Sequence, residues 1–118
     1  MIKRLDISGV HAQVDEDLRK SIQKKIGRMD RYLPRNIRPS VHCEVFIKES
    51  KASDKKECTC EVVMYLPAET ISIKESTVNM YAAVDIVETK LKGSIKKYKD
   101  KHANPRLRRH LLARIRKA

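Results

Sequence analysis

VHCEVFIKESKASDKKECTCEVVMYLPAETISIKES (41–76) decides the fold of this chain. Val41, Cys43, Val45 and Ile47 alternate with His42, Glu44, Phe46 and Lys48, the period of two that marks a half-buried strand. Cys58, Cys60, Val62, Met64 and Leu66 share one face of a second strand, and Ile71 and Ile73 point inward from a third. ESKASDKKE (49–57) is polar and small and predicts a mobile hairpin loop, whereas Pro67-Ala68 makes a tight link. Three consecutive strands with short links predict an antiparallel meander.

On the amino-terminal side, IKRLDIS (2–8) reads as an imperfectly alternating first strand that ends at Gly9. Asp15 then offers an N-cap, with Glu16 and Asp17 placed to complement the helix dipole. Leu18, Ile22, Ile26, Met29 and Leu33 recur at helical spacing and predict a helix to about Tyr32, halted before Pro34. Beyond the meander, Asn79 caps a second helix from Met80 to about Lys101, with Met80, Val84, Val87, Leu91, Ile95 and Tyr98 on its apolar face. The order is β-α-β-β-β-α, an α+β fold with two helices on one face of a four-stranded antiparallel sheet. Residues 1–102 form this domain. Asn104-Pro105 stops the helix, and 103–118 is a basic tail expected to be flexible, in which Leu107, Leu111 and Ile115 would line a short helix formed on contact.

Charge indicates the kind of partner. Lys and Arg number 27 against 15 acids in 118 residues, a net charge of +12 that calls for a polyanion rather than for solubility alone. Lys20, Lys24, Arg28 and Arg31 fall on one side of the first helix, roughly opposite its apolar stripe. Lys90, Lys92, Lys96, Lys97, Lys99 and Lys101 lie outside the apolar face of the second, so the two basic faces are expected to form a groove or ridge. Arg106, Arg108, Arg109, Arg114, Arg116 and Lys117 carry the tail without one acid. With four Tyr, one Phe and no Trp, a base-stacking platform is disfavoured and phosphate or shape recognition favoured. Tyr65 and Tyr81 are the aromatics open to exposure, and both could equally be core edges.

Catalytic chemistry is not legible. Only Gly9, Gly27 and Gly93 are present, too few for a phosphate loop, and no nucleophile motif or H-E-x-x-H occurs. His11, His42, His102 and His110 are scattered. Cys43, Cys58 and Cys60 lack zinc-knuckle spacing and read as small buried hydrophobes, so neither metal nor cofactor is expected. An odd number of cysteines favours a reducing compartment, no apolar run reaches membrane length, and the opening residues do not read as a leader; a cytoplasmic protein is expected. Charge and periodicity leave DNA, free RNA and a ribonucleoprotein all open.

Asn79-Met80-Tyr81-Ala82-Ala83-Val84-Asp85, followed by Lys90-Leu91 and Lys97-Tyr98-Lys99, resembles the second helix of ribosome hibernation-promoting factors, also called ribosome-associated translation inhibitors or, in the short form, sigma-54 modulation protein-like. The strand reaching Ile7-Ser8-Gly9 and the helix from Asp15 look like theirs, and the resemblance covers about residues 1–102. It implies a fold like double-stranded RNA-binding domains. It also implies a non-enzymatic inhibitor that occupies the messenger and transfer RNA (A and P) channel of the small ribosomal subunit, through ribosomal RNA. Lys90, Lys97, Lys99 and Lys101 match family positions; Lys20, Lys24, Arg28, Arg31, Lys92 and Lys96 are added from their placement, and Arg106, Arg108 and Arg109 as candidate tail contacts. Gly93 departs from the long polar or basic side chain usual there, and the chain is too short for the dimerising domain of the long form. A monomer off the ribosome is expected, with no small-molecule substrate. A general double-stranded RNA-binding module is the alternative, followed by a regulator docking a protein through the tail.

Overall fold

The three strands follow one another as the alternation predicts: β2 (His42–Ala52), β3 (Lys55–Leu66) and β4 (Glu69–Thr77) are antiparallel neighbours. The computed structural model describes residues 1–52 and 55–102, and the expectations for the tail, including Arg106, Arg108 and Arg109, lie outside the described residues. Before the meander come β1 (Arg4–Val10), α1 (Glu16–Lys25), a 3-10 helix (Gly27–Tyr32) and a 3-10 turn (Arg38–Ser40); after it comes α2 (Met80–His102). The sheet order is β1-β2-β3-β4.

Four sequence expectations need correction. The sheet is mixed rather than antiparallel: β1 runs parallel to β2, in register from Arg4↔His42 to Val10↔Lys48. A helical crossover separates these strands and returns the chain to the end from which β1 started, so β2 must run the same way. The loop expected over 49–57 is mostly strand, because β2 and β3 stay paired out to Ala52↔Lys55. Its polar composition reflects backbone pairing at an end of the hairpin that buries little, and alternation reports burial rather than hydrogen bonding. The first strand lies at 4–10 rather than 2–8, and Gly9 is within it. A Cβ at Gly9 would stand 2.3 Å from the Ala12 carbonyl oxygen, so the close approach of the following turn demands glycine.

The first helix is also shorter than its apolar stripe implies. α1 ends at Lys25 and the chain tightens into 3-10 winding over Gly27–Tyr32. Gly27 is a poor helix former, and its carbonyl oxygen accepts from the Ile2 N–H at 2.7 Å, diverting it from the α-helical pattern. Met29 and Leu33 remain buried despite the change. Asp15 caps α1 as expected, its Oδ1 accepting from the Leu18 N–H at 2.8 Å, and Asn79 caps α2 by accepting from the Tyr81 N–H at 2.8 Å.

Both helices cover one face of the sheet. Cys43, Val45, Ile47, Cys58, Cys60, Val62 and Met64 point into it, and Ile22, Ile26, Val84, Val87, Leu91 and Ile95 close over them, all essentially without solvent exposure. Full burial of each such side chain contributes about 1.5–3 kcal/mol, so the core specifies how α1 and α2 lie side by side. Tyr98 locks the far end of α2 to the β3–β4 turn by donating its hydroxyl to the Pro67 carbonyl at 2.9 Å.

Candidate nucleic-acid interface

Where α1 and its 3-10 extension lie against α2, their outer edges leave a groove of about 490 Å³. Lys24, Lys25, Arg28, Met29, Arg31 and Tyr32 form one wall, and Glu88, Thr89 and Lys92 the other. Five cationic side chains therefore face a single carboxylate, that of Glu88. Lys25 pairs with Asp85 across the two helices. The remaining cations raise the potential of a concave surface, where field lines concentrate.

Tyr32 is the residue that composition and spacing missed. It ends the 3-10 helix, half-buried, and its ring carries two cations: the Arg31 guanidinium carbon at 4.8 Å from the ring centre and the Lys92 ammonium at 5.0 Å. Arg31 also donates to the Tyr32 hydroxyl at 2.7 Å. That hydrogen bond first, and the neighbouring positive charges after it, hold the Tyr32 phenol below its ordinary value of 10.0. No helix was expected to tighten there, so the sequence held no signal that the ring would turn toward α2.

The candidate surface aromatics stand elsewhere. Tyr65 is on β3 at the open face of the sheet, stacked on His42 at 5.3 Å, and Tyr81 is in the first turn of α2 near Asp15. Both are exposed rather than core edges, and neither joins the groove.

The lysines of α2 divide between its two flanks. Lys92, Lys96 and Lys99 line a second hollow of about 510 Å³ with Tyr32, Gly93, Ile95 and Asp100. Lys90 and Lys97 instead look toward β4, in a hollow with Ser72, Lys74, Glu75 and Gly93, where Lys90 pairs with Glu75. Seven residues make nearly two helical turns, so Lys90 and Lys97 stack on one side and Lys92 and Lys99 on the other. Lys20 and Lys101 are exposed but line none of these three hollows. Lys99, Lys101 and His102 occupy the last turn of α2, where cations also offset the negative end of the helix dipole.

The cysteines belong to the core. Cys43, Cys58 and Cys60 are buried and unpaired, and burial pushes the Cys43 and Cys60 thiols up to about 12. Among the described residues, no three His, Cys, Asp or Glu side chains gather closely enough to hold a metal ion.

This arrangement of sheet and helices is shared with known proteins. The family described as "Sigma 54 modulation protein / S30EA ribosomal protein" matches residues 5–103. The chain belongs to this family. Among relatives, the ribosome hibernation promotion factor of Staphylococcus aureus (strain COL) is 30% identical over 96 residues, which cover 81% of this chain and 48% of that protein. The chain thus spans about half the length of that curated relative. Two solved structures share the S30EA-type fold at 22% identity. The Thermus thermophilus Protein Y N-terminal domain has a TM-score of 0.61, with 79% of this chain and 94% of that one covered. A ribosomal subunit interface protein from Coxiella burnetii has a TM-score of 0.65, with 81% and 97% covered.

Proposed function

We propose that this chain is a ribosome hibernation factor that inhibits translation by occupying the messenger and transfer RNA channel of the small ribosomal subunit. The carrying observation is the groove between α1 and α2, lined by five cationic side chains and one carboxylate. Lys and Arg side chains on such a surface contact phosphates, supplying affinity that is insensitive to sequence and steeply dependent on salt. Family membership and the name of the Staphylococcus aureus relative support the ribosome as the polyanion. Lys24, Arg28, Arg31 and Lys92 form the inner contact, Lys96 and Lys99 extend it along α2, and Lys90 and Lys97 contribute from its other flank. Lys20, Lys101 and the tail residues Arg106, Arg108 and Arg109 are outer contacts in this reading. The action is occupancy, with no covalent step and no cofactor. In this reading the protein is cytoplasmic, and it is a monomer when it is not bound to the ribosome.

Co-sedimentation with isolated small subunits at several salt concentrations tests this reading. Saturable binding near one copy per subunit, weakening with salt and displaced by transfer RNA, is the expected result. Equal affinity for arbitrary duplex RNA would instead establish a general RNA-binding module.

A further inference from the structure

Arg31, Tyr32 and Lys92 gather three hydrogen-bond donors at one wall of the groove with no carboxylate among them. The Arg31 guanidinium and the Lys92 ammonium come from different elements, yet they stand 4.8 and 5.0 Å from the centre of the same ring. Like charges repel at such range, and long cationic side chains ordinarily spread into water. Among the described residues neither cation pairs with an acid. The negative face of the ring offsets part of the repulsion. The Tyr32 hydroxyl oxygen accepts from Arg31 Nη2 at 2.7 Å, which leaves its own O–H to donate, and no acceptor for it stands among the described residues. The backbone on both sides of the ring is braced from behind. Arg38 donates through Nη2 to the Arg31 carbonyl and through Nε to the Leu33 carbonyl, each at 3.0 Å.

A phosphodiester oxygen is both an anion and an acceptor, so one phosphate satisfies all three groups together. We infer that Arg31, Tyr32 and Lys92 form a single phosphate seat in the groove, where Tyr32 donates its O–H to the phosphate and holds the two cations beside it. Tyr32 is thus an RNA contact in its own right and a positioning residue for Arg31 and Lys92, although it carries no charge. Ordering two long side chains normally subtracts from affinity, and here the ring and the Arg38 brace order them before any ligand arrives. The seat rests on the small-subunit reading above and names its ligand as one phosphodiester of an RNA backbone.

Tyr32→Phe and Tyr32→Leu separate the seat from packing. Tyr32→Phe keeps the ring and loses the hydroxyl, and Tyr32→Leu loses both. Circular dichroism and thermal melting establish that each variant is folded, and affinity for isolated small subunits is measured by co-sedimentation over a range of salt. Tyr32→Phe is expected to bind at least about five-fold more weakly, as for one lost hydrogen bond to a charged group, with an unchanged salt slope because no charge is removed. Lys92→Gln is then placed in each background. It is expected to cost about ten-fold in the parent and in Tyr32→Phe, where the ring still holds the ammonium, but under about three-fold in Tyr32→Leu. Should Tyr32→Leu fail to fold, the comparison of Tyr32→Phe with the parent decides alone. Parent-like binding by Tyr32→Phe, or an equal cost of Lys92→Gln in all three backgrounds, would overturn the seat while leaving the small-subunit reading in place. A parent chain that does not bind small subunits would overturn both.

Discussion

The ammonium of Lys92 lies 5.0 Å from the centre of the Tyr32 ring, joining the middle of α2 to the end of the 3-10 helix across the basic groove. The contact adds a polar tie between two elements whose inner faces, through Met29, Leu33, Leu91 and Ile95, are already packed in the core. It also has a titratable signature. Arg31 and Lys92 lower the Tyr32 phenol, whereas Tyr65 is raised chiefly by its hydrogen bond with Glu44, and Tyr81 and Tyr98 are raised chiefly by burial. Cations favour the phenolate, so Tyr32 ionises at lower pH than the other three. In an ultraviolet pH titration Tyr32→Phe is expected to remove the earliest tyrosinate phase, and Lys92→Gln to move that phase upward. An unchanged first phase in Tyr32→Phe would refute the assignment.

Charge reversals should grade by position. Lys24→Glu, Arg28→Glu and Lys92→Glu remove cations from the groove, while Lys20→Glu and Lys101→Glu lie outside its lining. Each groove substitution is expected to lower the salt slope of small-subunit binding by about 1, as expected for a lost phosphate contact, and the triple variant to bind at least a hundred-fold more weakly. The two outer substitutions should have much smaller effects at physiological salt. Equal losses at all five sites would indicate general electrostatic attraction instead of a groove.

The β3–β4 turn carries a strained alanine. Ala68 has a φ of 68°, in the left-handed region that costs an L-residue roughly 1–2 kcal/mol. Ala68→Gly relieves that strain but loosens the unfolded chain by about 0.4–1 kcal/mol, leaving a net stabilisation on the order of 0.5–1 kcal/mol. A higher urea midpoint with an unchanged denaturant slope is the expected observation. Gly9→Ala should do the opposite and destabilise by at least about 2 kcal/mol, since its Cβ would meet the Ala12 carbonyl at 2.3 Å.

Thiol chemistry reports on the core. With Cys43 and Cys60 pushed up to about 12, their thiolate fraction at pH 8 is about one in 10⁴, and the side chains are enclosed as well. Disulfide-exchange reagents at pH 8 are expected to leave both unmodified in the native chain and to modify them promptly in denaturant. Rapid modification of either in the folded protein would mean that the sheet opens at that point.

Truncating the α2 stripe should be costly. Leu91 is fully enclosed between the sheet and the helices, and Leu91→Ala is expected to lose about 2–5 kcal/mol. Domains of this kind hold ~5–15 kcal/mol in all, so thermal unfolding would fall steeply and binding would be lost with the fold rather than through the interface.

Order and identity of the elements were determined by the sequence alone, because burial on one face imposes a period of two on a strand and 3.6 on a helix. Val41 to Ile47, Cys58 to Leu66 and Met80 to Tyr98 show those periods directly. The caps at Asp15 and Asn79 were legible for the same local reason, a short side chain reaching its own backbone. Other features depended on contacts distant in sequence. The direction of β1 followed from the helical crossover, and the tightening after Lys25 from the bond between Ile2 and the Gly27 carbonyl. The extension of β2 and β3 past the apolar alternation came from backbone pairing, which carries no side-chain pattern. The candidate site divided in the same way. Lysines that helical spacing assigned to outer faces are exposed, but spacing within one helix carries no information about which neighbour each flank meets. Only packing of α2 against the 3-10 helix placed Lys92 beside Arg28, Arg31 and Tyr32, and only packing against β4 turned Lys90 and Lys97 away from them.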